Sequence, residues 1–241
     1  MARVLVPLPD TDFDPTETAV PWKVLTDAGH DVVFATEEGK KPACDPLLVR
    51  KEQVLFGQLG AKPGPKAVYL EMAEKSEAFA KPTKWRDIDP DSFDALVLPG
   101  GHAQGMKQYL ASELLQSKVS TFAKSKKPLA AICHGVVLLA RANGLRGRKT
   151  TCLPKYMEQV AYYTTAWKLG RYYRTYDAYV EDEVKKALSD PSDFVRGPIT
   201  LFSHGTADDD SPAFVVESDE YVSARWPGDA WLFSRKILER L

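Results

Sequence analysis

The sixteen residues Lys127 to Ala142, KPLAAICHGVVLLARA, constrain the fold more than any other part of the chain. Leu129-Ala-Ala-Ile132 is a short continuous apolar run, which reads as a buried strand. Gly135 to Ala142 is apolar nearly all round and reads as a buried helix ending near Gly144. Only Cys133-His134 separates the two, so the chain must turn sharply from strand to helix. Such a turn needs small residues two positions either side of its apex, and Ala131 and Gly135 supply them. A-x-C-x-G is thus the cysteine form of a nucleophile elbow. The helix N-terminus under the sulfur is expected to lower the thiol pKa. A lone cysteine is more often a buried structural residue; the turn chemistry and the adjacent His134 favour a nucleophile here.

Other short apolar runs repeat the strand–helix rhythm. Arg3 to Pro7 and Asp31 to Thr36 read as strands flanking a helix over Thr16 to Ala28, which Gly29 stops. This βαβ unit favours a parallel sheet. The rhythm resumes with the strand Ala95–Leu98, a helix around Leu110 to Ser125, and the elbow. Phe214–Val216 and Tyr221–Ser223 read as a terminal hairpin before a closing helix over Asp229 to Arg240. Residues 37–90 are broken by prolines, and 152–195 are aromatic-rich and largely helical. Both are expected as inserted cap segments within a single domain spanning residues 1–241. The predicted fold is an α/β three-layer sandwich with a mainly parallel central sheet.

Charge excludes several function classes. Lys+Arg 32 against Asp+Glu 33 gives a net charge of −1, with no basic footprint for nucleic acid and no polybasic patch for a membrane. No stretch reaches the ~20 apolar residues of a membrane span. The opening MARVLVPLPD is too short an apolar run for a signal peptide. Three cysteines without a CxxC spacing do not make a disulfide scaffold. The expectation is a soluble, cytoplasmic protein with reduced thiols. Its cysteines and histidines show no closed zinc spacing, so no metal is expected. PGGHAQG lacks the GK[ST] of a phosphate loop.

AICHG, with DALVLPGGHAQGM some thirty residues upstream, resembles the ThiJ/PfpI superfamily, a branch of the flavodoxin-like, class I glutamine amidotransferase-like fold. Glu17 in ETAVPWKVL matches the acidic position after that family's first strand, and Tyr221 to Gly228 matches its C-terminal strand and turn. The PGGHxxG form and the inserts look most like the larger branch, which holds glyoxalase III and heat-shock chaperone proteins. The resemblance implies that Cys133 is the nucleophile and that Glu17 is a buried carboxyl leaning on it. It implies an oxyanion hole from the Gly101 and His134 N–H groups, with Gly100 allowing close backbone approach and His102 lining the pocket. It makes His134 the catalytic histidine, with Glu158 as the acid that orients it and Asp177 as the alternative. Cys152 stands near where shorter relatives carry their histidine. It also implies a homodimer.

Three functions follow from the resemblance. One is a cofactor-independent glyoxalase III-like or deglycase-type enzyme acting on a small aldehyde or dicarbonyl. Another is a cysteine amidase or peptidase using Cys133, His134 and Glu158. The third is a redox-sensing stress chaperone in which Cys133 oxidises beside Glu17. A glutaminase would need a His-x-Glu pair near the C-terminus, and His204 is followed instead by Gly205-Thr206.

Overall fold

Short apolar runs become strands because each is long enough to cross one sheet and apolar enough to be covered on both faces. The computed structural model describes residues 1–50, 60–200 and 202–241. Its strands are β1 (Arg3–Pro7), β2 (Thr11–Phe13), β3 (Asp31–Thr36), β4 (Ala43–Cys44), β5 (Thr83–Lys84), β6 (Ala95–Leu98), β7 (Leu129–Ile132), β8 (Val215–Ser218) and β9 (Tyr221–Ala224). Its helices are α1 (Pro15–Asp27), α2 (Pro46–Val49), α3 (Pro63–Lys75), α4 (Glu77–Ala80), α5 (Met106–Ala111), α6 (Glu113–Ala123), α7 (Gly135–Arg141), α8 (Lys155–Leu169), α9 (Val180–Ala187) and α10 (Ala230–Leu238).

Seven strands form one sheet in the order β5-β3-β1-β6-β7-β9-β8. All its pairings are parallel except β8 with β9. β6 and β7 are buried along their whole length, as central strands of a covered sheet should be. On one side α1 packs with α3 and α10; on the other α7 packs with α5, α6 and α9. The result is the expected flavodoxin-like three-layer sandwich. β2 and β4 pair separately in a small parallel ribbon that leads into α1 and α2.

Local chemistry sets the boundaries. Gly29, at φ +84°, ends α1 where the His30 N–H returns to the Leu25 carbonyl. α1 begins at Pro15, so Pro21 falls in its second turn and denies the Glu17 carbonyl its helical partner. The helix expected over Leu110 to Ser125 is divided at Ser112, whose hydroxyl caps α6 at the Leu115 N–H. The 37–90 segment does more than lie over the sheet, since its β5 extends the sheet edge beside β3. Residues 51–59 of that segment lie outside the described residues. Among the described residues no helix is long and apolar enough to cross a membrane.

A fully buried ion pair closes the C-terminal corner. Arg225, just beyond β9, grips both carboxylate oxygens of Asp229 at 2.8 and 2.9 Å, and neither side chain is exposed. Asp229 also accepts from the Phe214 N–H, and Arg225 donates to the Pro198 carbonyl. The pair therefore anchors both ends of the 198–214 segment. Arg225→Ala strands Asp229 as a buried carboxylate and is expected to cost about 3–5 kcal/mol of stability. Chemical denaturation reads this as a lower midpoint with an unchanged slope.

Candidate active site

The elbow forms where the sequence places it. Cys133 has φ +58°, a left-handed conformation that costs a non-glycine residue roughly 1–2 kcal/mol. Its N–H donates to the Ala224 carbonyl, which carries the β7–β9 pairing into the turn. Gly135 is obligatory, because a Cβ there would collide with the Leu98 carbonyl oxygen at the end of β6. The strain thus holds because the first residue of α7 is pressed against the neighbouring strand.

Glu17, in the first turn of α1, comes to the same place from the other side of the sheet end. It is completely buried, and its Oε2 accepts the Gly100 N–H at 2.8 Å. The Cys133 thiol lies close enough to influence the titration of Glu17, whose Oε1 has no hydrogen-bond partner among the described residues. Burial, then the neighbouring Asp14 carboxyl, raises its pKa well above the ordinary value, which favours the protonated acid. Burial likewise pushes the Cys133 thiol up, with further rises from Glu17 and Asp14. The His134 N–H on the sulfur opposes this without overcoming it. The expectation that the helix N-terminus lowers this pKa is therefore corrected: desolvation beside two carboxyls outweighs one short helix. The resting pair is a thiol beside a carboxylic acid.

A cavity of about 90 Å³ opens above the sulfur. Asp14, Glu17, Gly101, His102 and Cys133 form its polar side. Leu48, Leu153, Met157, Val160 and Phe202 form much of its apolar side, so α2, α8 and the 198–214 segment all cover it. His134 does not line it. The buried His134 ring presents Nδ1 to the Cys133 sulfur at 3.6 Å and meets the His102 ring edge-to-face at 4.9 Å. Burial lowers His102 to about 4, and burial with the nearby His102, Arg141 and Arg174 lowers His134 as well. Both imidazoles are neutral at pH 7.

The structure does not join Glu158 to His134. The Glu158 carboxylate accepts from Arg174 at 3.0 Å and from the Val180 N–H at 3.0 Å, so it caps α9 and holds the loop after α8. Asp177 is exposed and pairs with Arg171. The triad acid expected from the resemblance is thus absent among the described contacts, because both carboxylates already have cationic partners. Cys152 is fully buried, outside the cavity lining, and burial raises its thiol pKa. Among the described residues no three His, Cys, Asp or Glu side chains are placed to hold a metal ion. Of the two residues expected to form the oxyanion hole, Gly101 borders the cavity and His134 does not.

Four cavity residues escaped the sequence reading. Asp14 caps α1, and its D-x-x-E spacing to Glu17 was the available signal. Tyr173 sits with its ring 5.8 Å from that of His102. The His204 ring lies 4.4 Å from that of Trp226, tilted by 50°, and burial lowers its pKa to about 4. These last three arrive from distant segments and carry no local pattern.

This is an α/β sheet protein with a buried cysteine on a nucleophile elbow. The ThiJ/PfpI family-like model matches residues 8–198, and the chain belongs to that family. It is 27% identical over 246 aligned positions to an uncharacterized Schizosaccharomyces pombe protein, covering 98% of this chain and 82% of that one. It is 31% identical over 152 positions to a Pyrococcus abyssi deglycase, covering 63% of this chain and 72% of that one. The crystal structure of glyoxalase III from Candida albicans superposes with a TM-score of 0.70 at 17% identity, over 100% of this chain and 97% of that one. At that identity the likeness is one of fold.

Glu17 keeps in the folded chain a proton that the unfolded chain releases near pH 4.5. Its contribution to stability is complete below that pH and is lost as pH rises toward the folded value, by up to about 1.4 kcal/mol per pH unit. Glu17→Gln removes this share. Urea denaturation between about pH 5 and about pH 7 is expected to show a shallower fall in stability for the variant than for the wild type.

Proposed function

We propose that this protein is a cofactor-independent glyoxalase III-like or deglycase-type enzyme that converts a small dicarbonyl to a 2-hydroxy acid. The observation that carries this reading is the Cys133 thiol held against the neutral acid Glu17 in a cavity of about 90 Å³. By the same measure one water occupies roughly 10–15 Å³, so the space suits a molecule of a few heavy atoms. So small a space favours a small molecule over a polypeptide strand, and among the described residues His134 has no orienting carboxylate for acyl transfer. Both points disfavour the peptidase alternative. The names of the P. abyssi and C. albicans relatives agree with dicarbonyl or glycation chemistry.

In this mechanism the Cys133 sulfur adds to the aldehyde carbon C1, and the C=O pair moves onto its oxygen O1. The thiol proton ends on O1, relayed by Glu17, to give a hemithioacetal. Once C1 is bonded to the sulfur, the neutral His134 imidazole, whose Nδ1 lies 3.6 Å from that sulfur, takes the C1 proton and returns one to the second carbon, C2, as the O1 hydroxyl proton passes to the C2 oxygen. The adduct becomes a thioester of the 2-hydroxy acid. Water attacks its carbonyl, and the sulfur leaves as the thiol. The Gly101 N–H supports the oxygen on which charge develops.

Lactate formation from methylglyoxal by protein stripped of metal tests the reading. Wild type is expected to turn over, Cys133→Ala to be inactive, and Glu17→Gln to lose about 10²-fold in kcat. A wild type that makes no lactate while Cys133 is reduced and alkylatable overturns it.

A further inference from the structure

Asp14 does one job with one oxygen. Its Oδ1 accepts the Thr16 and Glu17 N–H groups at 2.8 and 3.1 Å and so caps α1. Its own N–H donates to the Gly100 carbonyl at 2.8 Å, while the Gly100 N–H donates to Glu17. These opposed bonds fix Asp14, Glu17 and the Gly100 turn as one unit beside Cys133. Oδ2 has no hydrogen-bond partner among the described residues, although Asp14 is only 7% exposed and lines the cavity. Capping does not account for it, because asparagine or serine would cap equally well.

We propose that Asp14 is a second acid–base residue of this site, its Oδ2 exchanging protons with the two oxygens of a bound dicarbonyl whose C1 is held by Cys133. The proposal rests on the dicarbonyl reading above. As His134 removes the C1 proton, Asp14 gives its own to the C2 oxygen, O2, and an enediol forms. Asp14 then takes the proton of the O1 hydroxyl while His134 protonates C2. Both residues return to their starting states, and the thioester carries its new hydroxyl at C2.

The surroundings favour a protonated Asp14 at the start. Glu17 in the same turn and Asp45 at the start of α2 are its carboxyl neighbours. Cys133 at the elbow, Cys44 at the end of β4 and Tyr173 beyond α8 also feel its charge. No lysine or arginine hydrogen-bonds it among the described residues. Burial accordingly raises it to about 7 despite its two backbone donors.

Asp14→Asn keeps the cap but cannot exchange a proton. Steady-state lactate formation from methylglyoxal is expected to show kcat lower by about 10²-fold, with KM changed less than about threefold. The wild-type fall of kcat/KM as pH rises through about 7 is expected to vanish in the variant, while its thermal midpoint stays unchanged. Asp14→Ser, another capping residue, carries the same expectation should the Asn variant not fold. Wild-type kcat and an unaltered pH profile in either folded variant overturn the role of Asp14 and leave the dicarbonyl reading standing. Absence of lactate from the wild type overturns both.

Discussion

The site depends on a missing methyl group. Gly135 starts α7 against the Leu98 carbonyl, in space no Cβ can occupy. That contact brings the helix onto the end of the central strands and forces Cys133 to φ +58°. Gly100, at the end of the next strand over, meets the same demand. A side chain there would run into the His134 N–H, the Glu17 carboxyl and the Cys133 Cβ. Cys133, Glu17 and the turn that borders the cavity therefore converge because two glycines let backbone replace side chain. The left-handed strain at Cys133 is small beside the burial of α7, whose residues Gly135 to Ala140 are all buried.

Burial also decides the site's electrostatics. A cysteine at a helix N-terminus ordinarily leans toward thiolate. Here the same close packing that builds the elbow removes water from the sulfur and from Glu17 and Asp14, and each keeps its proton more firmly. A neutral thiol beside a neutral acid suits addition to a carbonyl, which needs a proton delivered to oxygen as the sulfur attacks. A preformed thiolate would be more nucleophilic but would leave the carbonyl oxygen to find its proton elsewhere.

The fold and half of the site were legible because they are local. The strand, apex and helix of the elbow lie within sixteen residues, and the βαβ unit within about thirty-five. Glu17 was legible through its place after the first strand. Glu158 was misread for a complementary reason. Its position in the chain fits an orienting acid, but Arg174, sixteen residues on, claims its carboxylate, and the α9 N-terminus takes the rest. Sequence spacing places a carboxylate near a site without saying which cation will reach it first. The meeting of His204 with Trp226 was beyond local reading, since it joins the turn after β9 to the 198–214 segment that the Arg225–Asp229 pair fastens.

That fastening also shapes the cavity over Cys133. The inner wall around Cys133 comes from the sheet and its crossover turns. The outer wall comes from α2, α8 and the 198–214 segment, each held by its own polar tie. Tyr172 donates to Asp45 at the start of α2, at 2.7 Å. Tyr156 of α8 joins the Thr200 backbone in both directions, at 2.9 and 3.0 Å. Gly205 donates to the Gly228 carbonyl at 2.8 Å. The walls are thus tied to one another and to the sheet by bonds outside the cavity lining. This arrangement leaves Leu153, Met157 and Val160 to line the apolar side of the cavity that holds the sulfur. The hydrogen bond from the Gly100 N–H to the buried Glu17 carboxyl acts at low local dielectric, where it is worth more than it would be in solvent.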